Sequence, residues 1–314
     1  MLDDPRMTAL APEGEMMVRA LVDDLAAISG VEVTVMRDFR VKADLPARMR
    51  VVHPGQFNAV FRQAILESDA VWPIAPEQDD LLLRVTGEIL ARGRRLLGSR
   101  PDAVSIATSK RATAVALALA GVPVAPVYSS ERELPSNVHE VVVKPDDGAG
   151  CQDTLLFHDR ARLREWLRGR LDSTRIFQPY IRGEACSLSM LCCEGRARLL
   201  ACNRQKVNLE NGEFRFDGVS VNALADDDGR YAALADDIAR ALPGLWGCCG
   251  VDFIETGNGP IVIEVNPRLT TSYAGLYRAT GSNPAQLVLE LPGSLEATKG
   301  LPRTAAIEVE VHAG

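Results

Sequence analysis

Two carboxylates and an amide in the last quarter of the sequence have the types and spacing of a cation site. Asp252 and Glu264 lie in apolar segments on either side of the turn Gly257-Asn258-Gly259, and Asn266 follows. Segments flanking such a turn are expected to pair as a β-hairpin. Two carboxylates on one sheet face repel each other unless a cation lies between them, and hard oxygen ligands suit Mg²⁺. We therefore expect one or two Mg²⁺ ions, with Mn²⁺ as a substitute, at Asp252, Glu264 and Asn266; the alternative is an exposed polar face of an edge hairpin.

The register of this hairpin decides whether the two carboxylates meet. A three-residue loop of residues 257–259 pairs Thr256 with Pro260 and sets Asp252 opposite Glu264. A two-residue turn of Asn258 and Gly259 sets Asp252 opposite Val265 instead. We expect the three-residue loop because it gathers one apolar face, which consists of Val251, Phe253, Ile261, Ile263 and Val265. Arg268 follows directly, where a guanidinium can meet a transferring phosphate or an oxyanion.

A second group of residues has the chemistry of a phosphate site. Lys144 ends the apolar run 141–143 and precedes a turn that contains Gly148, Ala149 and Gly150. Backbone N–H groups of a glycine loop can approach phosphate oxygens, and a lysine adds a point charge. An ordinary hairpin is the competing interpretation, and the acidic pair 146–147 counts against a bare phosphate cradle. Lys110 begins a helix, where its charge opposes the helix dipole. Two interpretations remain: Lys110 binds a phosphate, or it is a solvated surface lysine.

The elements that must position these residues follow from the apolar pattern. Residues 12–100 alternate helical and strand patterns, which predicts βαβ units and a parallel sheet, although no first strand is evident before residue 12. Ser109 or Thr108 caps a helix that ends at Gly121. From residue 138 the pattern is α+β, with strands near 140–144, 154–157, 185–192 and 197–202 and a helix over 159–170. A helix containing Tyr231 and Leu242 precedes the hairpin.

Composition excludes several classes of protein. The 314 residues carry 35 Lys and Arg against 42 Asp and Glu, a net charge of −7, without a basic run, so a nucleic-acid partner is not expected. No apolar run reaches the roughly 20 residues of a membrane span, and no signal-peptide core is evident, so we expect a cytoplasmic protein. The seven cysteines lack a C-x-x-C spacing and indicate free thiols rather than zinc.

The order of these motifs resembles that of ATP-grasp enzymes over roughly residues 70 to 290. The resemblance implies an α/β and α+β chain with the ATP-grasp fold and a βαβ-type N-terminal domain. It implies a pre-grasp domain over residues 1–100, a small subdomain over 101–182 and a C-terminal subdomain with the metal site over 183–314. It also implies that Arg268 is catalytic, that Asp252, Glu264 and Asn266 hold magnesium, and that ATP is bound by Lys110, Lys144, Gly148, Ala149, Gly150, Gln178, Tyr180, Ile181 and Glu184.

Further segments are similar to the branch of this family that contains the tyramine-glutamate ligases of methanofuran synthesis. They are residues 72–79, 97–99, 144–151, 203–205 and 266–273. The resemblance implies an ADP-forming ligase that joins L-glutamate to an amine such as tyramine or tyrosine through an acyl-phosphate, with small molecules as its partners and a homodimer as an option. Ligation of another amino acid pair and a non-catalytic ATP sensor are the alternatives. Residues suited to hold the second substrate are Arg204, Gln205, Thr271, Ser272 and Tyr273, with Glu77 or Asp79 beside them.

Overall fold

The computed structural model describes residues 5–42, 44–148, 150–170, 174–291 and 305–311. Its N-terminal part contains α1 (Pro5–Ala26), β1 (Thr34–Asp38), β2 (Arg48–Val52), α2 (Phe57–Leu66), β3 (Ala70–Val71), a 3₁₀ turn (Gln78–Asp80), α3 (Leu81–Ala91) and β4 (Arg95–Leu96). β1 pairs with β2 and β3 with β4, both in parallel, so the predicted parallel pairing is confirmed. The expectation of one parallel sheet is wrong, because the strands form two separate two-stranded sheets.

A large antiparallel sheet forms the centre of the molecule. Its strands are β5 (Val141–Pro145), β6 (Leu155–Phe157), β7 (Arg175–Pro179), β8 (Glu184–Cys193), β9 (Arg196–Glu210), β10 (Glu213–Leu224), β11 (Gly247–Thr256), β12 (Gly259–Asn266) and β13 (Ile307–Glu310). Within the described ranges the order is β12-β11-β8-β9-β10-β6-β5-β7, and β13 also pairs with β10. The hairpin predicted to carry the carboxylates is therefore one edge of this sheet.

Helices cover both faces of the strands β8, β9 and β11. They are α4 (Pro101–Thr108), α5 (Lys110–Leu119), α7 (Arg230–Ala241), α8 (Tyr273–Thr280) and α9 (Pro284–Leu289), together with α1. Helix α6 (Arg160–Leu167) packs instead against β5 and β7. One core joins α4, α5 and α7 to the sheet, and the other joins α1, α8 and α9 to its opposite face. Residues from Cys186 to Cys193 in β8 are consequently all buried, which suits a strand with two covered faces.

The predicted helices are confirmed where their signals are strong. Tyr231, Leu234 and Ile238 are buried along one face of α7, and Ser109 caps α5 by accepting a hydrogen bond from the Ala112 N–H at 3.0 Å. The segment before residue 12 is helical from Pro5 onward and belongs to α1. No helix in the described part of the chain has the length and apolar character to cross a membrane.

The adjacent cysteines face opposite sides of the sheet, as predicted from strand geometry. Cys192 and Cys249 belong to the core beneath α7, whereas Cys193 and Cys248 belong to the core beneath α8. All seven cysteines have free thiols. Six of them are buried in the two cores, whereas Cys151 is partly buried and lines a cavity described below.

Candidate active site

The hairpin of β11 and β12 pairs the two predicted carboxylate ligands, but its turn and register differ from those predicted. Thr256 pairs with Gly259, so the turn contains two residues and the expected three-residue loop is wrong. Asp252 still pairs with Glu264, because Ile263 is an extra residue between the pairs Phe253–Val262 and Asp252–Glu264. Such a β-bulge shifts the register by one residue and therefore restores the predicted pair.

The same bulge changes which side chains form the apolar face. Val262 is fully buried beside Val251 and Phe253, whereas Ile261 and Ile263 are only partly buried. Ile263 instead lines a large cavity next to Glu264. The predicted apolar face is therefore correct for Val265 and for β11, but wrong for Ile261 and Ile263.

Asp252 lies in the wall of this cavity and is held by two amides. Gln205 Nε2 donates to Asp252 Oδ1 at 2.8 Å, and Asn266 Nδ2 donates to Oδ2 at 3.1 Å. Burial, and then repulsion by Glu264, raise the pKa of Asp252 to about 7. A divalent cation between the carboxylates would remove that repulsion, so the donor set fits a hard cation.

This fit rests on two acidic groups and an amide oxygen, not on a dense acidic cluster. Among the described residues, no three His, Cys, Asp or Glu side chains converge as metal ligands. Because Asn266 donates through its nitrogen to Asp252, its side-chain oxygen is left for a cation. Two protein carboxylates leave positions for water and phosphate oxygens, as Mg²⁺ requires.

Both predicted lysines reach the same cavity. Lys110 Nζ donates to the Gly148 carbonyl at 2.6 Å and lies 3.5 Å from Glu264 Oε1. Lys144 is buried, and desolvation followed by repulsion from Lys110 lowers its pKa to about 8. Two buried ammonium groups beside a glycine turn form a site for a polyanion.

The two acidic residues of the glycine turn are both engaged in hydrogen bonds with other parts of the chain. Asp146 faces the start of α5, where its Oδ2 accepts from Ser109 Oγ at 2.6 Å and its Oδ1 from the Arg111 N–H at 2.9 Å. Asp147 Oδ2 accepts from the Asp79 N–H at 3.4 Å. The objection that these carboxylates repel phosphate is therefore removed for Asp146, which is engaged as a helix cap.

The cavity has a volume of about 350 Å³, and its other end is apolar. Gln178, Tyr180 and Ile181 line it together with Phe214, whose ring centroid is 6.2 Å from that of Tyr180. Gly148 and Gly150 also line the cavity, whereas Ala149 lies outside the described residues. Gly183 lines it as well, at a point where an added Cβ would lie 2.3 Å from the Glu255 carbonyl oxygen.

Three predicted site residues lie outside the cavity wall. Glu184 and Arg204 form an ion pair with each other on exposed parts of β8 and β9. Tyr273 is buried and packs edge-on against Trp72, with a centroid distance of 6.5 Å. Of the predicted substrate residues, Gln205, Thr271 and Ser272 do line the cavity, so those three are brought together with the carboxylate pair.

Arg268 is fixed in this site by a residue of the N-terminal part. Its Nε and Nη2 donate to Glu77 Oε2 at 3.0 and 2.8 Å, and its Nη1 donates to the Leu269 carbonyl at 3.0 Å. Both side chains of the ion pair are largely buried, at 12% and 6% exposure. Glu77 was expected near a substrate, and the structure shows it in contact with the predicted catalytic arginine instead.

Sequence reasoning missed several residues of the wall. Glu13 of α1 reaches the cavity, and its Oε2 accepts from Thr271 Oγ1 at 2.8 Å. Gln152 and Phe214 also line it. A lone glutamate on a surface helix carries no sequence signal, whereas Phe214 alternates with Phe216 in a strand pattern that could have been recognised.

The site and fold agree with known proteins. Residues 107–272, more than half of the chain, match the family model of the ATP-grasp domain, and residues 31–104 match that of the pre ATP-grasp 3 domain. The chain belongs to the ATP-grasp family and is an ATP-dependent carboxylate–amine ligase. Members of this family generally use ATP with Mg²⁺.

One curated relative, the tyramine–L-glutamate ligase of Methanocaldococcus jannaschii, is 26% identical over 88% of this chain and 82% of its own length. A putative ATP-grasp superfamily protein from Archaeoglobus fulgidus has a TM-score of 0.69 at 25% identity, over 90% of this chain and 82% of its own. The L-amino acid ligase from Bacillus licheniformis, with a TM-score of 0.68 at 21% identity over 87% and 71%, shares the fold.

Proposed function

We propose that this ligase joins the γ-carboxylate of L-glutamate to an amine such as tyramine through an acyl-phosphate and releases ADP and phosphate. The observation that carries the proposal is the convergence of Lys110, Lys144 and Arg268 with the Asp252–Glu264 pair in one cavity. The name of the M. jannaschii relative supports glutamate and tyramine as substrates. The resemblance in sequence further implies a step of methanofuran- or methylofuran-type cofactor biosynthesis.

In the proposed reaction, the two lysines hold the ATP phosphates and the apolar end of the cavity holds adenine. Asp252, Glu264 and the oxygen of Asn266 would hold Mg²⁺, which when bound shields the charge of the phosphates. Gln178, Tyr180 and Ile181 would contact the base, while Gly148 and Gly150 approach the phosphates. Glu184 would reach the ribose hydroxyl groups only by exchanging its contact with Arg204.

The carboxylate of the donor is a poor acyl group until phosphorylation gives it a leaving group. Arg268 is positioned to stabilise the negative charge on the transferring phosphoryl group and on the acyl-phosphate. The neutral amine then attacks the acyl carbon, the C–N bond forms, phosphate leaves with the C–O bond electrons, and the proton lost by the nitrogen passes to phosphate or water. Holding both substrates in one cavity lowers the entropic part of this barrier and limits hydrolysis of the intermediate.

We also propose a division of the chain into three parts. Residues 1–100 would form the pre-grasp part, 101–182 the small ATP-grasp subdomain and 183–314 the C-terminal subdomain. The two matched family regions meet between residues 104 and 107, which supports the first boundary. A non-catalytic ATP sensor would have no need for a buried ion pair that fixes Arg268, which favours an enzyme.

The test is ADP and phosphate release from Mg-ATP with L-glutamate and a panel of amines that includes tyramine and tyrosine, with mass spectrometry of the products. ADP formation that requires glutamate and one amine, with the matching amide mass, supports the proposal. Glu264→Gln should abolish turnover while retaining part of the ATP affinity. Glu210→Gln, an exposed change in β9, is the matched control. Full activity of Glu264→Gln would contradict the proposed metal site.

A further inference from the structure

Helix α1 contributes a carboxylate to the cavity that the proposed chemistry has not used. The helix is anchored by Met17 and Leu21, which pack in the core with α8 and α9. Its earlier turns approach the glycine turn, where a Cβ built on Gly150 would lie 3.2 Å from Leu10 Cδ2 and 3.4 Å from Glu13 Oε1. Glu13 is therefore held between the glycine turn and Thr271, whose hydroxyl donates to it at 2.8 Å.

The charges around Glu13 distinguish it from the other acidic groups of the site. Glu264 lies within ion-pair distance of Lys110, and Glu77 within that of Arg268. Asp252 accepts from two amides. The hydrogen-bond partner of Glu13 is the neutral hydroxyl of Thr271, and among the described residues no lysine or arginine forms an ion pair with it. Its negative charge is therefore available to a ligand.

The location of Glu13 identifies which ligand group it meets. It lies beside Gly150 and Thr271, in the same cavity wall as Arg268 and Cys151, and so belongs to the reacting end of the cavity. A carboxylate repels phosphate and substrate carboxylates, so the group that suits this position is a cation. Amino acids and amines supply one cation that both substrates share, a primary ammonium group.

We infer that Glu13 binds the ammonium group of a substrate and selects for compounds that carry one. This inference rests on the proposed ligase function and extends it to a specificity-determining residue. The ammonium can come from two sources, the α-amino group of the donor amino acid or the protonated amine of the acceptor. The Thr271 hydroxyl fixes the carboxylate, because its hydrogen bond occupies one of the two oxygens and leaves the other toward the ligand.

The test compares Glu13→Gln with Asp23→Asn. The first variant retains an oxygen for the Thr271 hydroxyl and removes only the charge, and the second makes the same change of charge at an exposed position of α1, outside the cavity. We expect Glu13→Gln to raise KM about 10- to 100-fold for the substrate whose ammonium it binds, as charge-assisted hydrogen bonds imply. KM for ATP should not change, and thermal melting of both variants checks that they fold.

The KM values for the two substrates show which of them supplies the ammonium group that Glu13 binds. A rise in KM for L-glutamate, with loss of the preference for glutamate over glutarate, assigns the donor; a rise in KM for tyramine assigns the acceptor. If both KM values remain within about twofold of wild type, the inference is overturned while the ligase function stands.

If glutamate and tyramine are not the substrates, the wild-type enzyme itself does not turn them over, and this result differs from a change in KM caused by Glu13→Gln. The comparison is then made with whichever pair is active in a panel of the twenty amino acids and simple amines, so the role of Glu13 is still tested. If no compound with an ammonium group is turned over or binds in the presence of Mg-ADP, the inference falls together with the proposed function.

Discussion

We expect the buried ion pair between Arg268 and Glu77 to contribute both to the stability of the fold and to catalysis. Glu77→Gln keeps the shape of the side chain but removes the charge that faces Arg268, whose Nε and Nη2 both donate to one oxygen of Glu77. Removing one partner of a buried ion pair costs about 3–5 kcal/mol. Arg268 keeps its bond to the Leu269 carbonyl and borders a cavity, so we expect the lower end of this range, about 3 kcal/mol.

The catalytic effect should accompany this loss, because Glu77 sets the direction of the guanidinium. A displacement of about 1 Å at a catalytic group can reduce the rate about 100-fold, so we expect kcat/KM to fall by about that factor while ATP affinity changes little. The stability is measured by urea unfolding, and kcat/KM by coupled ADP release. Both effects arise from the same contact, so they should appear in the same variant.

The control for this experiment is Glu88→Gln in α3. Glu88 forms exposed ion pairs with Arg62 at 3.1 Å and Arg92 at 2.9 Å, which are worth at most about 1 kcal/mol. If Glu77→Gln unfolds at the same urea concentration as Glu88→Gln, the argument from burial is wrong. If it loses stability but keeps the wild-type kcat/KM, Glu77 supports the fold without positioning Arg268.

Three further predictions follow from the same cavity. Because the pKa of Asp252 is raised to about 7, the folded protein in EDTA should lose stability as pH rises from about 4 to 7, and Mg²⁺ should raise the Tm more at pH 8 than at pH 6; equal shifts would contradict this. Because the pKa of Lys144 is lowered to about 8, ATP affinity measured by calorimetry should weaken above that pH, whereas Lys144→Ala should bind weakly without that dependence; a wild-type affinity that is flat across pH 8 would refute it. Gly183→Ala should raise KM for ATP and lower the Tm by several degrees, since its Cβ would lie 2.3 Å from the Glu255 carbonyl oxygen, and an unchanged KM would show that the backbone can adjust.

The sequence predicts the helices well where apolar residues repeat with a clear period, and less well elsewhere. The spacing of Tyr231, Leu234 and Ile238 predicts α7, and all three are buried. α4 is short and begins at Pro101, so it offers too few turns for a period to emerge. β10 contains Gly218 at a φ of +145° and irregular pairing with β9, and such interruptions hide a strand from pattern analysis.

The hairpin shows how far alternation can predict a site. Asp252 and Glu264 do pair, but the turn contains two residues and a bulge at Ile263 compensates for the difference. An alternation pattern assumes that successive side chains of a strand point to opposite faces of the sheet. A bulged residue interrupts that order. The pairing of the two carboxylates was therefore predicted, whereas the incomplete burial of Ile261 and Ile263 was not.

The contacts that join distant parts of the chain were beyond sequence reasoning. Glu13 reaches the cavity from α1, and Glu77 reaches Arg268 from the turn before α3, so both contact residues that follow β12. Glu13 belongs to no motif, and although Glu77 lies in the family-like segment 72–79, its contact with Arg268 is identified only by tertiary packing. The lysines, by contrast, stand next to a helix start and a glycine turn, which mark them locally.

The start of α5 explains how a lysine can occupy a position that its helix dipole disfavours. Asp146 accepts from the Arg111 N–H and from the Ser109 hydroxyl, and Ser109 in turn accepts from the Ala112 N–H. These contacts supply the negative charge and the acceptors that a helix start requires, which offsets the charge of Lys110. Because these N–H groups already have partners, the helix end is not available to bind phosphate. We therefore expect phosphate recognition in this site to depend on the side chains of Lys110 and Lys144 and on the glycine turn, so neutralising either lysine should weaken ATP binding.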